Sequence, residues 1–189
     1  NKASGDVSKT RYEKTITAFD REIAQLKEET DTIKIMGDES QAAIAYWAFI
    51  REMLQDDNVA FAKREHKGAT DLMNSMLNYG YAILYSRVWQ ALLAAKLNPY
   101  DSVIHVRQNG KPTFVFDCVE LFRAQAVDRI VISLIQKKQK LEVEGGLLNE
   151  TTRKKIAAAV LERMNRYEKY RGTEMTFTTI IKQQAKEIS

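Results

Sequence analysis

Cysteine is almost absent from this sequence: Cys118 is the only one in 189 residues. That excludes an internal disulfide framework and fits a reducing cytoplasm. Proline occurs twice and glycine eight times, so the usual interrupters of helices are scarce. Abundant Ala, Leu, Glu, Lys and Gln favour helix throughout. Long apolar runs are missing too. The most apolar stretch, Met73 to Ala95, is broken by Asn74, Asn78, Arg87 and Gln90, which makes it too polar for lipid, so no membrane partner is expected. The opening NKASGDVSK is polar, lacks the apolar run of a signal peptide and carries no initiator methionine, so a piece of a longer protein is expected. A globular chain of this size buries roughly 70% of its unfolded surface, enough to fold without disulfides or a structural metal.

Charge and helical periodicity are what the sequence has. Its 29 basic and 25 acidic residues leave a net charge of +4, compatible with a polyanionic partner but not proof of one. KREHK at 63–67, KKQK at 137–140 and Arg153, Lys154, Lys155 each read equally as solvated faces. Residues 1–9 are expected to be disordered or linker, and 10–189 a single mainly α domain. Tyr12, Ile16, Phe19, Ile23 and Leu26 recur at helical spacing. After Gly37 a second helix is expected, with Ala42, Ala43, Tyr46, Trp47, Ile50 and Leu54 three and four apart. Thr70 or Asp71 is a plausible N-cap for a long helix that is apolar on nearly all faces, and hence central. Gly80 within it predicts close packing by a neighbour. Trp47, Tyr79 and Tyr81 fit a core role better than base stacking. Pro99 closes that helix, and a long loop precedes the next. EGGLLNE reads as a turn, Asn149 or Thr151 as one further cap and Thr176 as another.

The loop holds His105, one of two histidines, and HVRQNGKPTFVFDCVE leads from it into the pattern D-x-x-E. Asp117 and Glu120 lie three apart, on one face of a helix. At a helix start they would serve merely as caps favoured by the dipole. His105 would then be a strand residue of a hairpin closed by Asn109-Gly110. Glu39, in GDES, reads as a cap at another helix start. A functional reading needs the positions together: an imidazole and two carboxylates suit an octahedral divalent ion with sites open for water and phosphate. Spacing alone does not bring them together.

Four stretches, in order, resemble the CRISPR-associated protein one family, the integrase of CRISPR adaptation. They are MGDESQAAIAYW; KREHKGATDLMNSMLNYGYAILYSRVWQALLAAKLNPY; the histidine stretch through D-x-x-E to FRAQAVDRIV; and YRGTEMTFTTIIKQQA. The resemblance implies the family's C-terminal helical catalytic domain, with its N-terminal β-rich domain not in this chain. It implies that Glu39, His105 and Glu120 bind Mg2+ or Mn2+, with Asp117 as supporting acid. The implied chemistry is metal-dependent DNA cleavage and strand transfer, a 3′-hydroxyl attacking a phosphodiester at the CRISPR repeat. In-line displacement at phosphorus needs positioning and charge neutralisation more than a covalent nucleophile, so Cys118 is read as a buried small residue. Ser40 stands where the family usually has glycine.

Protospacer and repeat DNA are the implied partners, with phosphate contacts expected from Lys63, Arg64, Lys67 and Lys111, then Arg51 and Arg123. For the parent protein the resemblance implies a homodimer, the small ferredoxin-like second adaptation subunit and, in some relatives, fusion to a reverse transcriptase. The competing reading is a non-catalytic helical DNA-binding or scaffold module whose acids only cap helices.

Overall fold

The computed structural model describes residues 2–26, 29–57, 59–102 and 108–189, with the side chains of 2–11, 25, 32 and 56 left aside. The chain forms two compact units, residues 1–65 and 66–189. Both are mainly α. Among the described residues, no helix is long and apolar enough to cross a membrane.

The first unit packs α1 (Lys2–Leu26) on α2 (Thr32–Met53), followed by a 3-10 turn (Gln55–Asp57). Tyr12 meets Phe49 across the helix pair at 6.5 Å, and Trp47 stacks edge-on against Phe61 at 5.8 Å. Two expectations change here. The stretch 1–9, expected to be linker, is helical from Lys2, because nothing in KASGDVSKT stops a helix from propagating once the turns after Tyr12 nucleate it. The second helix starts at Thr32 rather than after Gly37. Asp31 caps it, accepting from the Ile33 N–H at 2.9 Å. Gly37 therefore sits inside the helix.

In the second unit α3 (Leu72–Ala94) is the central helix. Asp71 caps it, accepting from Asn74 N–H at 2.8 Å. Around it pack α4 (Thr113–Glu120), a wide π-helical turn (Ala124–Asp128), α5 (Arg129–Gln136), α6 (Glu150–Asn165) and α7 (Phe177–Ile188). Met73, Met76, Leu77, Leu84 and Val88 of α3 are buried with Val115, Val127, Ile156 and Ile181. The burial runs around the helix, as its all-round apolar sequence requires. A Cβ on Gly80 would lie 2.5 Å from Val127 Cγ1, so the wide turn rests directly on α3 at that glycine.

Asn149 and Thr176 cap α6 and α7 through the N–H groups of Thr152 and Thr179. EGGLLNE is the bend of a two-stranded hairpin, β1 (Val143–Glu144) and β2 (Leu147–Leu148). A second antiparallel hairpin, β3 (Tyr167–Tyr170) with β4 (Thr173–Thr176), was not anticipated. Its Arg171-Gly172 bend carries positive φ at both residues, which suits a tight hairpin.

Candidate metal and nucleic-acid site

Glu120 and Asp117 stand on α4, and the start of that helix decides what they do. TFVF, an apolar run before the acids, is helix and not strand, so α4 begins at Thr113, directly after Pro112. No side chain caps it. Instead the loop after α3 satisfies it: Phe114 N–H donates to the Pro99 carbonyl at 3.0 Å, and Thr113 Oγ1 donates to the Tyr100 carbonyl at 3.1 Å. The expectation that both acids lie in a first turn is therefore corrected. Asp117 is mid-helix and Glu120 is the last residue of α4. A carboxylate there lies beyond the first turn, so N-terminal capping does not account for it; an i,i+3 pair with Arg123 is the helix-stabilising role it has.

Each acid has a specific companion. Ser102 Oγ donates to Asp117 Oδ2 at 2.5 Å, a further tie between the loop and α4. Arg123 Nη1 lies 2.5 Å from Glu120 Oε1, with the two side chains 25% and 33% exposed. The Arg123 guanidinium sits over the Tyr81 ring, 4.8 Å from its centroid. Tyr81 in turn donates its hydroxyl to Asp128 Oδ1 at 2.5 Å. Tyr81 is buried, as the core reading of that residue anticipated. Cys118, between the acids, is buried as well; burial first, then the charge of Asp117, pushes its thiol up to about 11. It stays a neutral, unreactive group near neutral pH.

Glu39 belongs to the first unit, exposed on α2 well past its Asp31 cap. Its expected place at a helix start is corrected accordingly, and the capping explanation falls for it too. His105, and with it the strand expected before Asn109-Gly110, lies outside the described residues. What is described there is a turn: Lys111 N–H donates to the Gln108 carbonyl at 3.0 Å, with Gly110 at φ +73°. Among the described residues no three His, Cys, Asp or Glu side chains form a metal-sized group. The donors nonetheless fit the expected ion. Glu120 offers a hard carboxylate oxygen, one-third exposed, of the type that such an ion takes.

Of the basic candidates, Lys63, Lys67, Lys111 and Arg51 are exposed, and Arg64 and Arg123 are half-buried. Lys63 lies 3.6 Å from Glu65, and Lys111 donates to Gln108 Oε1. Arg51 donates to the Ala62 carbonyl at 3.3 Å and Arg64 to that of Glu65, while Arg123 is engaged with Glu120. Sequence reasoning missed Ser102 and Asp128. The one signal for Asp128 is an acid inside the apolar stretch AVDRIV.

A family model described as "CRISPR associated protein Cas1" matches residues 1–162. The chain belongs to the Cas1 family. It is 39% identical over 132 residues to a CRISPR-associated endonuclease Cas1 2 of Pyrobaculum aerophilum, covering 70% of this chain and 41% of that Cas1. Among solved structures it is similar to a casposase bound to integration product, with TM-score 0.78 and 26% identity, over 99% of this chain and 58% of that one. A chain of a Cas6-RT-Cas1–Cas2 complex shares the Cas1 fold at TM-score 0.78 and 19% identity, over 96% of this chain and 21% of that one. This Cas1 chain thus spans less than half the length of the Pyrobaculum relative.

Proposed function

We propose that this chain carries the cation-dependent DNA-cleavage and strand-transfer site of a CRISPR adaptation integrase. The observation that supports this most directly is the position of Glu120 late in α4, one helical turn beyond Asp117, where N-terminal capping does not explain an acid. Membership of the Cas1 family supports it further, as does likeness to a casposase bound to integration product. Glu39, His105 and Glu120 would hold a magnesium or manganese ion, which supplies Lewis-acid stabilisation of charge on phosphodiester oxygens when bound.

The protein's own groups do the rest. Asp117, through Ser102, fixes the loop that follows α3 against α4. Lys63, Lys67 and Lys111 are the exposed lysines that would hold DNA phosphates, and Arg51, Arg64 and Arg123, like Lys63 and Lys111, would exchange present partners to do so. Holding the attacking 3′-hydroxyl in line with the phosphorus is the main contribution such a site makes. Protospacer and repeat DNA are the proposed substrates. A homodimer, a small second adaptation subunit and a possible reverse-transcriptase fusion are the proposed associations of the longer protein.

Manganese-dependent cleavage and strand transfer on branched DNA test this. Glu39→Ala, His105→Ala and Glu120→Ala proteins that remain folded should each lose activity by about two orders of magnitude or more. Activity that survives all three changes would leave the non-catalytic DNA-binding module as the better account.

A further inference from the structure

We infer that Arg123 is a positioning residue for the Glu120 carboxylate, and that Tyr81 and Asp128 exist to hold Arg123. The inference rests on Glu120 being a ligand of the divalent ion. Four side chains from α3, the end of α4 and the wide turn form one line of contacts. The buried Asp128 carboxylate, 2% exposed, accepts from the Tyr81 hydroxyl. A carboxylate acceptor strengthens that bond and leaves the phenol ring richer in electrons. The ring face carries the Arg123 guanidinium, held by attraction of cation to π-system. Arg123 then grips Glu120 Oε1.

Two further observations show that the line is built rather than incidental. Arg123 Nε is buried with no hydrogen-bond partner among the described residues, so the guanidinium is placed for the ring and for Glu120 at the expense of its own donors. The turn that carries Asp128 is π-helical, and its seat on α3 is Gly80, the neighbour of Tyr81. Such wide turns within helices are rare and are frequent at functional sites. Here the turn brings Asp128 to the Tyr81 hydroxyl.

A glutamate side chain that is one-third exposed has several rotamers to choose among. A fixed guanidinium restricts it to one orientation, as partners of metal ligands generally do, and loss of such a partner weakens metal binding about 10- to 100-fold. Lysine does not reproduce the effect in full, because a compact ammonium neither stacks on the ring nor offers a fork.

The test is calorimetric titration of the 189-residue chain with manganese alone, in the absence of DNA, with circular dichroism to establish folding. Arg123→Ala should bind manganese about tenfold or more weakly. Arg123→Lys should recover part of the loss, and Tyr81→Phe should weaken binding by a smaller factor. A purely structural role would lower the melting temperature and leave the metal affinity of the folded protein alone. Unchanged or tighter binding in Arg123→Ala, with binding lost in Glu120→Ala, overturns the inference and leaves the ligand assignment standing. Wild-type affinity in Glu120→Ala, or no manganese binding by the parent chain, overturns the ligand assignment and this inference with it. Should Arg123→Ala fail to fold, the lysine and phenylalanine variants decide by the same criterion.

Discussion

Cys118 shows how far the neighbourhood of the acidic pair departs from water. Its thiol is pushed from 9.0 to about 11, first by burial and then by Asp117. At a given pH below both values, the folded protein therefore holds about a hundredfold less thiolate than the unfolded chain. A thiol-specific reagent at about pH 8 should react slowly with the folded protein and rapidly once denaturant is added; equal rates would place Cys118 at the surface. The same shift has a stability consequence. The folded-state value lies above the unfolded one, so the contribution is fully present below about pH 9 and lost as pH rises through about 11. Tyr85, whose phenol is also pushed up by burial, acts in the same direction. Denaturant midpoints should fall across that alkaline window, and fall less in Cys118→Ala.

Two glycines inside helices separate packing from propensity. Gly37 in α2 would carry a Cβ into open space, so Gly37→Ala should stabilise the protein by about 0.5–1 kcal/mol. Gly80 in α3 is in contact with Val127 of the wide turn, and there an added methyl is overpacking that costs about 1–3 kcal/mol, against a propensity gain of about 1 kcal/mol. Gly80→Ala should lower the unfolding midpoint. Its combination with Val127→Ala should cost less than the two single losses added. A Gly80→Ala protein with a raised midpoint would mean that the turn does not sit on α3. The same pair marks what was legible in the sequence. Gly80 announced a close neighbour because it interrupts an otherwise apolar helix, and Asp71, Asn149 and Thr176 announced helix starts through their own side-chain oxygens. The starts of α2 and α4 were misplaced for physical reasons. Gly37 resembles a breaker but is tolerated mid-helix, and α4 is started by loop carbonyls remote in local pattern, with TFVF drawn into helix by tertiary packing over its extended-chain preference. That Asp117 and Glu120 share one helix was readable; their position along it was not.

At the scale of the molecule the question is how a chain with a net charge of only +4 would hold DNA. A diffuse positive field is weak at that charge, so binding must rest on a few exposed cations placed at phosphates. Lys63, Lys67 and Lys111 are the exposed lysines proposed for that role, whereas Arg123 is engaged in an internal pair. Each duplex phosphate neutralised contributes about 0.9 to the slope of log affinity against log salt. Replacing the three lysines together by glutamine should therefore flatten that slope by up to about 2.7 and weaken binding to all sequences alike, because phosphate contacts carry no base information. Arg123→Lys should leave the slope nearly unchanged, since charge is conserved and the group faces Glu120. Binding isotherms at several salt concentrations decide between them. A slope that survives the triple replacement would move the DNA path away from these lysines, and one that drops in Arg123→Lys would show that the guanidinium trades Glu120 for phosphate.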